Sequence, residues 1–245
     1  MGNALKAQGN LQGALKAYRA ALLIRKRLAA RDAGNAGWQR DLSASHIAVA
    51  NVLVRQGKLS EALDLYRASL AIVGRLAAED ASNADCQRDL SNSHEGVGNV
   101  LALQENLREA LDSYRSVLAI RKRLAAKDAS NANWQRDLST SHDKIGNVLA
   151  LQGNFRAALD SYRSALAIVE RLAEQDAGNA EWQRGLWVSN WKMANALDTQ
   201  DRPAEALPFW RRVHGVLSSM KRAGMFVSAQ EEFELEQVRA KLRGQ

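Results

Sequence analysis

The sequence has few of the residues that cross-link a chain, break a helix or embed a protein in a membrane. Its single cysteine, Cys86, excludes an internal disulfide framework and a cysteine-based metal site. Only two prolines occur, Pro203 and Pro208, so long unbroken helices are possible almost everywhere. No run approaches the roughly 18 apolar residues of a membrane span, and the N-terminal residues lack the pattern of a signal peptide. We therefore expect a cytoplasmic protein.

The composition indicates a folded chain with a basic surface. Hydrophobic residues make up 46% and charged residues 25% of the sequence, which is ordinary for a folded domain. Lys and Arg outnumber Asp and Glu by 34 to 27, which gives a net charge of +7. The sequence has no phosphate-binding loop, dinucleotide fingerprint, zinc-protease motif or supported catalytic triad. We therefore predict a protein that is not an enzyme and binds no cofactor.

A 48-residue repeat organises the sequence. Similar segments begin at Gly2, Ala50, Gly98, Gly146 and Ala194, with no insertion or deletion between them. Apolar residues recur within each segment at spacings of three and four, which is the period of an α-helix. In the third full unit this pattern predicts one helix over about 131–151 and a second over about 155–176. The asparagines that start the first helices are expected to cap them; they are Asn35, Asn83, Asn131 and Asn179.

The residues shared by the units form a known pattern. A small residue is followed by Asn, Leu, Gly-Asn, Ala-Leu, Tyr and a second Ala-Leu, for example Gly146, Asn147, Leu149, Gly153, Ala158, Leu159, Tyr162, Ala165 and Leu166. This pattern resembles the tetratricopeptide repeat. The unit is longer than the usual 34 residues and is similar to the long repeats of kinesin light chains and of many bacterial signalling proteins. It departs from the family where His46, His94 and His142 stand in place of Trp and where Ala replaces the Pro after the second helix.

The resemblance implies an all-α fold, a right-handed superhelical solenoid of antiparallel helix pairs. We expect the solenoid over residues 1–222, as one half-truncated unit and four further 48-residue units, with a C-terminal capping helix within 223–245. In that helix, predicted over 227–243, Phe233, Val238 and Leu242 should face the last repeat. Its glutamates should face water; they are Glu231, Glu232, Glu234 and Glu236. The sequence begins within a first helix. We therefore expect either that the first unit is a half unit or that the sequence is a piece of a longer protein.

The repeated residues divide into core positions and a candidate binding surface. We predict a core from the leucines of the first helices and from the Ala-Leu pairs of the second helices, namely Leu5, Leu53, Leu101, Leu149, Leu197, Ala62-Leu63 and Ala110-Leu111. The resemblance implies that a concave groove lined by first helices binds an extended peptide or a partner helix. Candidate groove residues are Asn3, Asn51, Asn99, Asn147, Asn195, Arg55, Lys144 and Trp191. The asparagines either grip a peptide backbone or bond the adjacent helix, and the sequence does not choose between these roles.

Other repeated residues favour structural roles. His46, His94 and His142 lie one repeat layer apart, about 10 Å or more, which is too far for a shared metal ion. They are expected to pack between helices, as are Trp38, Trp134 and Trp182. Cys86 replaces this Trp once, so its joint is a candidate weak point. Trp187 and Trp191, one turn apart, could anchor a ligand residue but are better explained by packing at the end of the repeats.

Three functions are compatible with the sequence. The first is a protein-interaction scaffold that uses the groove. The second is homo-oligomeric assembly through exposed repeat ends, because similar units can stack on another chain. The third, less favoured, is nucleic-acid binding by a basic outer face, which includes Arg25–Arg27 and Arg121–Arg123. The Lys that a carboxylate clamp for chaperone tails requires is replaced by Ile47, Glu95 and Asp143, so we do not predict that clamp.

Overall fold

A computed structural model describes residues 9–226 and 228–243 and shows α-helices throughout these ranges. The helices are α1 (Leu11–Arg31), α2 (Ala36–Arg55), α3 (Leu59–Glu79), α4 (Ala84–Leu103), α5 (Leu107–Lys127), α6 (Ala132–Leu151), α7 (Phe155–Gln175), α8 (Ala180–Asp198), α9 (Pro203–Arg222) and α10 (Ala229–Arg243). We call α2, α4, α6 and α8 the first helices and α1, α3, α5, α7 and α9 the second helices of their repeats. The predicted bounds of the third full unit agree with α6 and α7 to within one residue.

Helix ends are set by short polar residues and by left-handed turns. The side chains of the four predicted capping asparagines accept hydrogen bonds from the first turns of α2, α4, α6 and α8. Gly57 and Gly153, which link the helices of a repeat, have φ of +74°. The equivalent residues in two other repeats are Glu105 (φ 61°) and Asp201 (φ 57°), so this turn keeps its backbone conformation even without glycine.

The helices form two compact units, Met1–Ala126 and Lys127–Gln245. In the first unit α1 packs on α2, α2 on α3 and α3 on α4; in the second, α6 packs on α7, α7 on α8, α8 on α9 and α9 on α10. This consecutive packing of helix pairs confirms the predicted fold class. The predicted core leucines and alanines within the described residues are buried, since each is 8% exposed or less. Leu5 and Asn3 lie outside the described residues.

The prediction for the C-terminal helix was wrong in two respects. Phe233 is 55% exposed, whereas Leu235 and Val238 are buried. Glu231 was expected in water but is only 3% exposed, and its Oε1 accepts a hydrogen bond from Arg184 Nε at 2.6 Å. The physical reason is that burial on one face of α10 follows Glu231, Leu235 and Val238, at spacings of four and three residues. That stripe places Phe233 on the opposite side of the helix.

Pro208 lies inside α9, and the helix continues through it to Arg222. Pro203 occupies the first turn of the same helix. A proline there costs no hydrogen bond, because the first N–H groups of a helix have no intrahelical partner. The helix therefore starts at a favourable proline and tolerates a second one five residues later.

Candidate functional site

The asparagine that recurs on the first helices is held by a tyrosine of the following second helix. In three repeats the tyrosine hydroxyl donates a hydrogen bond to the carboxamide oxygen of the asparagine 15 residues earlier. The pairs and their O···O distances are Tyr66–Asn51 (2.6 Å), Tyr114–Asn99 (2.8 Å) and Tyr162–Asn147 (2.9 Å). The asparagine thus bonds the adjacent helix, which is one of the two roles that the sequence left open.

This bond also fixes the orientation of the carboxamide. The oxygen faces the tyrosine, so the NH2 group of the same carboxamide points away from it. Asn51 and Asn147 are both exposed residues. In two of these repeats the first helix carries a glycine where the tyrosine ring approaches it closely. A Cβ built on Gly146 would lie 2.5 Å from the Tyr162 ring, and one on Gly98 would lie 2.8 Å from the Tyr114 ring.

An exposed side chain stands one helical turn after each asparagine. Asn51 is followed by Arg55, Asn99 by Leu103 and Asn147 by Leu151, four residues later on the same helix face. Leu103 is 58% exposed and Leu151 is 69% exposed. The first helices therefore present an amide next to an apolar or cationic side chain in repeated register. Within each unit, we call these exposed side chains, together with the asparagines of that unit, its first-helix face.

Two acidic residues of the first helices, Glu95 and Asp143, form ion pairs with residues of other helices. Glu95 pairs with the buried guanidinium of Arg121 on α5. Asp143 Oδ2 lies 2.7 Å from Lys192 Nζ, so this pair joins α6 to α8. Burial raises the pKa of the Asp143 carboxyl, and the Lys192 ammonium acts against this shift. In the sequence, Glu95 and Asp143 are notable only because they replace the Lys of a carboxylate clamp. Their partners, 26 and 49 residues away, gave no local signal.

Trp191 lines a pocket of about 440 Å³ in the second unit. It is 36% exposed and faces residues of α9 and α10 that include Trp210, Gln237, Val238 and Lys241. Trp210 takes the place of the repeat tyrosine, and its Nε1 donates to Asp198 Oδ2 at 2.9 Å instead of to an asparagine. The Lys241 ammonium lies 4.4 Å from the centre of the Trp210 ring and pairs with Asp198. Lys144, the remaining candidate groove residue, is half-buried on α6.

The repeated histidines and Cys86 occupy packed environments. Burial lowers the pKa of His46 and of His94, which favours neutral imidazoles between the helices. Cys86 is buried against Leu76 and Ala77 of α3, and burial raises the pKa of its thiol. A raised thiol pKa reduces the thiolate fraction, which is the nucleophilic form. Both observations assign these residues to packing.

Residues 9–226 and 228–243 contain neither a cluster of metal ligands nor a membrane-spanning helix. No group of three or more His, Cys, Asp or Glu side chains is placed to hold a metal ion within this part of the chain. None of the helices described there is long and apolar enough to cross a membrane.

The sequence profile of the tetratricopeptide repeat family matches four segments of the chain. These segments, residues 1–32, 47–80, 96–128 and 140–176, together cover more than half of it. The chain belongs to the tetratricopeptide repeat family. Members of this family generally act as protein-interaction scaffolds and are typically not catalytic.

Solved structures of tetratricopeptide repeat proteins share this fold at low sequence identity. The nearly identical repeats assigned to a kinesin light chain of Podosopora anserina are 15% identical, with a TM-score of 0.67 over 90% of this chain and 93% of that one. The apo form of RapI is 16% identical, with a TM-score of 0.67 over 99% of this chain and 62% of that one. BtubC from P. vanneervenii is 16% identical, with a TM-score of 0.54 over 96% and 93%. No curated protein matches the chain.

Proposed function

We propose that the chain is a non-catalytic interaction scaffold in which the first-helix face of each unit binds an extended segment of a protein partner. The observation that carries this proposal is the oriented carboxamide. A tyrosine holds the oxygen of Asn51 and of Asn147, and the NH2 group is directed away from it. That group can donate to a backbone carbonyl of any sequence, whereas Leu103 and Leu151 offer apolar contacts that select side chains.

The remaining candidate residues extend this face. Arg55 adds a cationic position one turn after Asn51, which suits an acidic side chain of the partner. Trp191 offers a large aromatic surface of the type enriched at binding hot spots. Lys144 on α6 and Asn195 on α8 are proposed to contribute to the contact together with Asn99.

Substitution of Asn147 by Asp tests the role of the carboxamide. The carboxylate can still accept from Tyr162, so the helix contact is kept while the NH2 donor is lost. Peptides would be selected from a random displayed library against the full chain, and their Kd measured by calorimetry. We expect about tenfold weaker binding by N147D and unchanged binding by N133D, which adds the same charge to an exposed position of α6. Equal effects of both variants, or a library without binders, would reject the proposal.

A second function, self-association, is favoured by apolar residues on α1. Leu23 and Ile24 are 52% and 59% exposed. The equivalents of Ile24 two and three repeats later, Ile120 and Ile168, are only 5% and 7% exposed. The later repeats therefore bury a side chain that α1 leaves in solvent.

The helix that would cover α1 in a second copy is α10. The 48-residue offset extends into α10, where Glu231 (3% exposed) occupies the position of Gln39 (7%) and Gln87 (8%). By this register α10 corresponds to the first helix of another unit, and a first helix is the element that packs on a second helix such as α1. The charges are also of opposite sign, since α1 carries Arg25–Arg27 and α10 carries Glu232, Glu234 and Glu236. Within the chain, Glu232 pairs with Lys221 and Glu236 with Arg239.

Light scattering behind size exclusion, over a tenfold range of concentration and at two salt concentrations, tests self-association. We expect assemblies that Ile24→Glu dissociates and that Ala30→Glu, at an exposed position of the same helix, leaves intact. A monomer under all conditions would remove this candidate. Added RNA or DNA fragments serve as a third arm, because phosphate binding would decline steeply with salt.

A further inference from the structure

A pocket of about 420 Å³ in the second unit is lined by none of the residues assigned to the first-helix face. It is formed by α7, α8 and α9, and Ala173, Leu186 and Val216 supply apolar walls. A volume of this size falls within the range of small-molecule sites. Its lining combines apolar carbon with a few polar groups, which is the usual composition of such sites.

Two of the residues that line the pocket differ from those of the preceding repeats. Asn190 stands where the preceding repeats carry His46, His94 and His142, so a shorter side chain occupies a position that a ring fills elsewhere. Gly215 stands where those repeats carry Ala71, Ala119 and Ala167. A Cβ built on Gly215 would meet no atom within 4 Å, so the space beside it is open to a larger side chain or to a ligand.

Asn190 contributes a polar group that lacks a partner. The residue is 1% exposed, and its Nδ2 donates to the Leu186 carbonyl at 2.8 Å. Its Oδ1 is buried and has no hydrogen-bond partner among the described residues. A buried acceptor without a donor costs about 1–3 kcal/mol, so a bound N–H or O–H group that reaches it would remove that cost.

The mouth of the pocket carries more negative than positive charge. Glu170 and Glu174 supply two carboxylates, and Arg212 supplies one guanidinium, with 3.1 Å between Arg212 Nη1 and Glu170 Oε1. Glu174 is exposed. The excess carboxylate favours a cation at the mouth, and the unpartnered Asn190 oxygen favours a hydrogen-bond donor. Both features select the same ligand chemistry.

We propose that this pocket binds a small amine with an apolar body. The apolar part lies against Ala173, Leu186 and Val216, and the ammonium group donates to the Asn190 oxygen or to the carboxylates at the mouth. This site is independent of the first-helix face, so the chain would bind a small molecule and a protein segment at separate places.

Calorimetry with three matched probes tests the ligand class. The probes are 2-phenylethylamine, 2-phenylethanol and 3-phenylpropionate, which share a phenyl ring and a short chain. We expect the amine to bind with a Kd of about 1 mM or tighter, the alcohol about tenfold more weakly, and the acid not measurably. Saturable binding that does not distinguish the amine from the acid would overturn the assignment to amines, as would the absence of saturable binding by any probe.

Substitutions of Gly215 test the place of binding without endangering the fold. Leucine and alanine both favour helices more than glycine does, and the open space accommodates either. Gly215→Leu should fill the pocket and abolish amine binding, whereas Gly215→Ala, which restores the side chain of the preceding repeats, should retain it. Glu174→Gln should weaken the amine about threefold and leave the alcohol unchanged. Amine binding unaffected by Gly215→Leu would overturn the proposal.

Discussion

At the scale of the residue, the left-handed turn between the helices of a repeat has a conformational cost that depends on its side chain. Glu105 adopts φ 61° where the equivalent Gly57 and Gly153 adopt φ 74°. The left-handed region costs an L-residue roughly 1–2 kcal/mol, whereas glycine enters it freely. Glycine also has more entropy to lose on folding, about 0.5–1 kcal/mol. We therefore expect Glu105→Gly to stabilise the protein by about 0.5–1 kcal/mol, measured as a higher midpoint of urea denaturation.

The reciprocal substitution controls for this effect. Gly57→Glu places a side chain where a Cβ would meet no atom within 4 Å, so any loss of stability arises from the backbone alone. We expect a loss similar in size to the gain of Glu105→Gly. If both variants shifted the midpoint in the same direction, backbone strain would not be the cause.

The buried hydroxyl of Tyr66 makes the free energy of unfolding depend on pH in the alkaline range. Burial raises its pKa from 10.0 to about 12, with a smaller contribution from Glu95. The folded state thus holds this proton more tightly than the unfolded state does. The stability it contributes is fully present below pH 10 and is lost as the pH rises from 10 to 12. We expect Tyr66→Phe to be less stable than the natural protein at pH 8 and to lose much of that disadvantage at pH 12.

Thermal unfolding at pH 8, 10 and 12 measures this convergence. Tyr114 and Tyr162, whose pKa values burial also raises, are present in both proteins, so their effects cancel in the comparison. A difference between the two proteins that stayed constant across this range would contradict the assigned pKa.

Only the spacing behind the role of the recurring asparagine is visible in the sequence. Asn51, Asn99 and Asn147 each precede a tyrosine by 15 residues, and this spacing joins the end of a first helix to the facing turn of the second. Where Trp210 replaces the tyrosine, the indole N–H donates a hydrogen bond to Asp198 and not to Asn195. The interval of 15 was visible in the sequence; the choice of hydrogen-bond partner required the helix packing.

At the scale of the element, the pair between Asp143 and Lys192 ties α6 to α8 inside the second unit. Both side chains are largely buried, and burial already raises the pKa of Asp143. Removing one partner of a buried pair costs about 3–5 kcal/mol, because an uncompensated charge remains. We expect Lys192→Met to destabilise the protein by roughly 3 kcal/mol at pH 7, measured by urea denaturation.

The sign of the pH dependence distinguishes this cause from lost packing. Without Lys192 the folded pKa of Asp143 lies still further above its unfolded value, so the variant is relatively more stable at low pH and loses that stability as the pH rises through the folded pKa. The defect should therefore be smaller at pH 4 than at pH 8. Lys122→Met, at an exposed position on α5, should show neither effect. A defect of equal size at both pH values would argue for packing.

Helix positions were predictable because each repeat gives the same local signals. The capping asparagines, the three- and four-residue apolar spacing and the glycine turns all agree, so the bounds of α6 and α7 follow from the sequence. α10 lacks these signals: glutamates surround Phe233, and charge alone suggested that all of them face solvent. The buried Glu231 depends on Arg184, 47 residues earlier, and only the 48-residue register pointed to a buried polar residue at this position.

At the scale of the whole molecule, the division into two compact units predicts that the second unit folds without the first. Unit Lys127–Gln245 holds two helix pairs and α10 around its own core, with Met193, Leu217 and Leu235 each 1% exposed or less. Repeat proteins gain stability from contacts between neighbouring units. We therefore expect the segment 127–245 to give a helical circular dichroism spectrum and to unfold cooperatively on heating.

A shorter segment provides the matched control for this prediction. Residues 127–178 contain α6 and α7 alone, and a single helix pair cannot bury its apolar face, so this segment should be largely unfolded. In 127–245 the Arg184–Glu231 hydrogen bond at 2.6 Å joins α8 to α10, and Arg184→Ala should lower the melting temperature of the segment because it leaves Glu231 buried without this partner. If 127–245 were unfolded while the full chain was helical, the second unit would depend on the first for its stability.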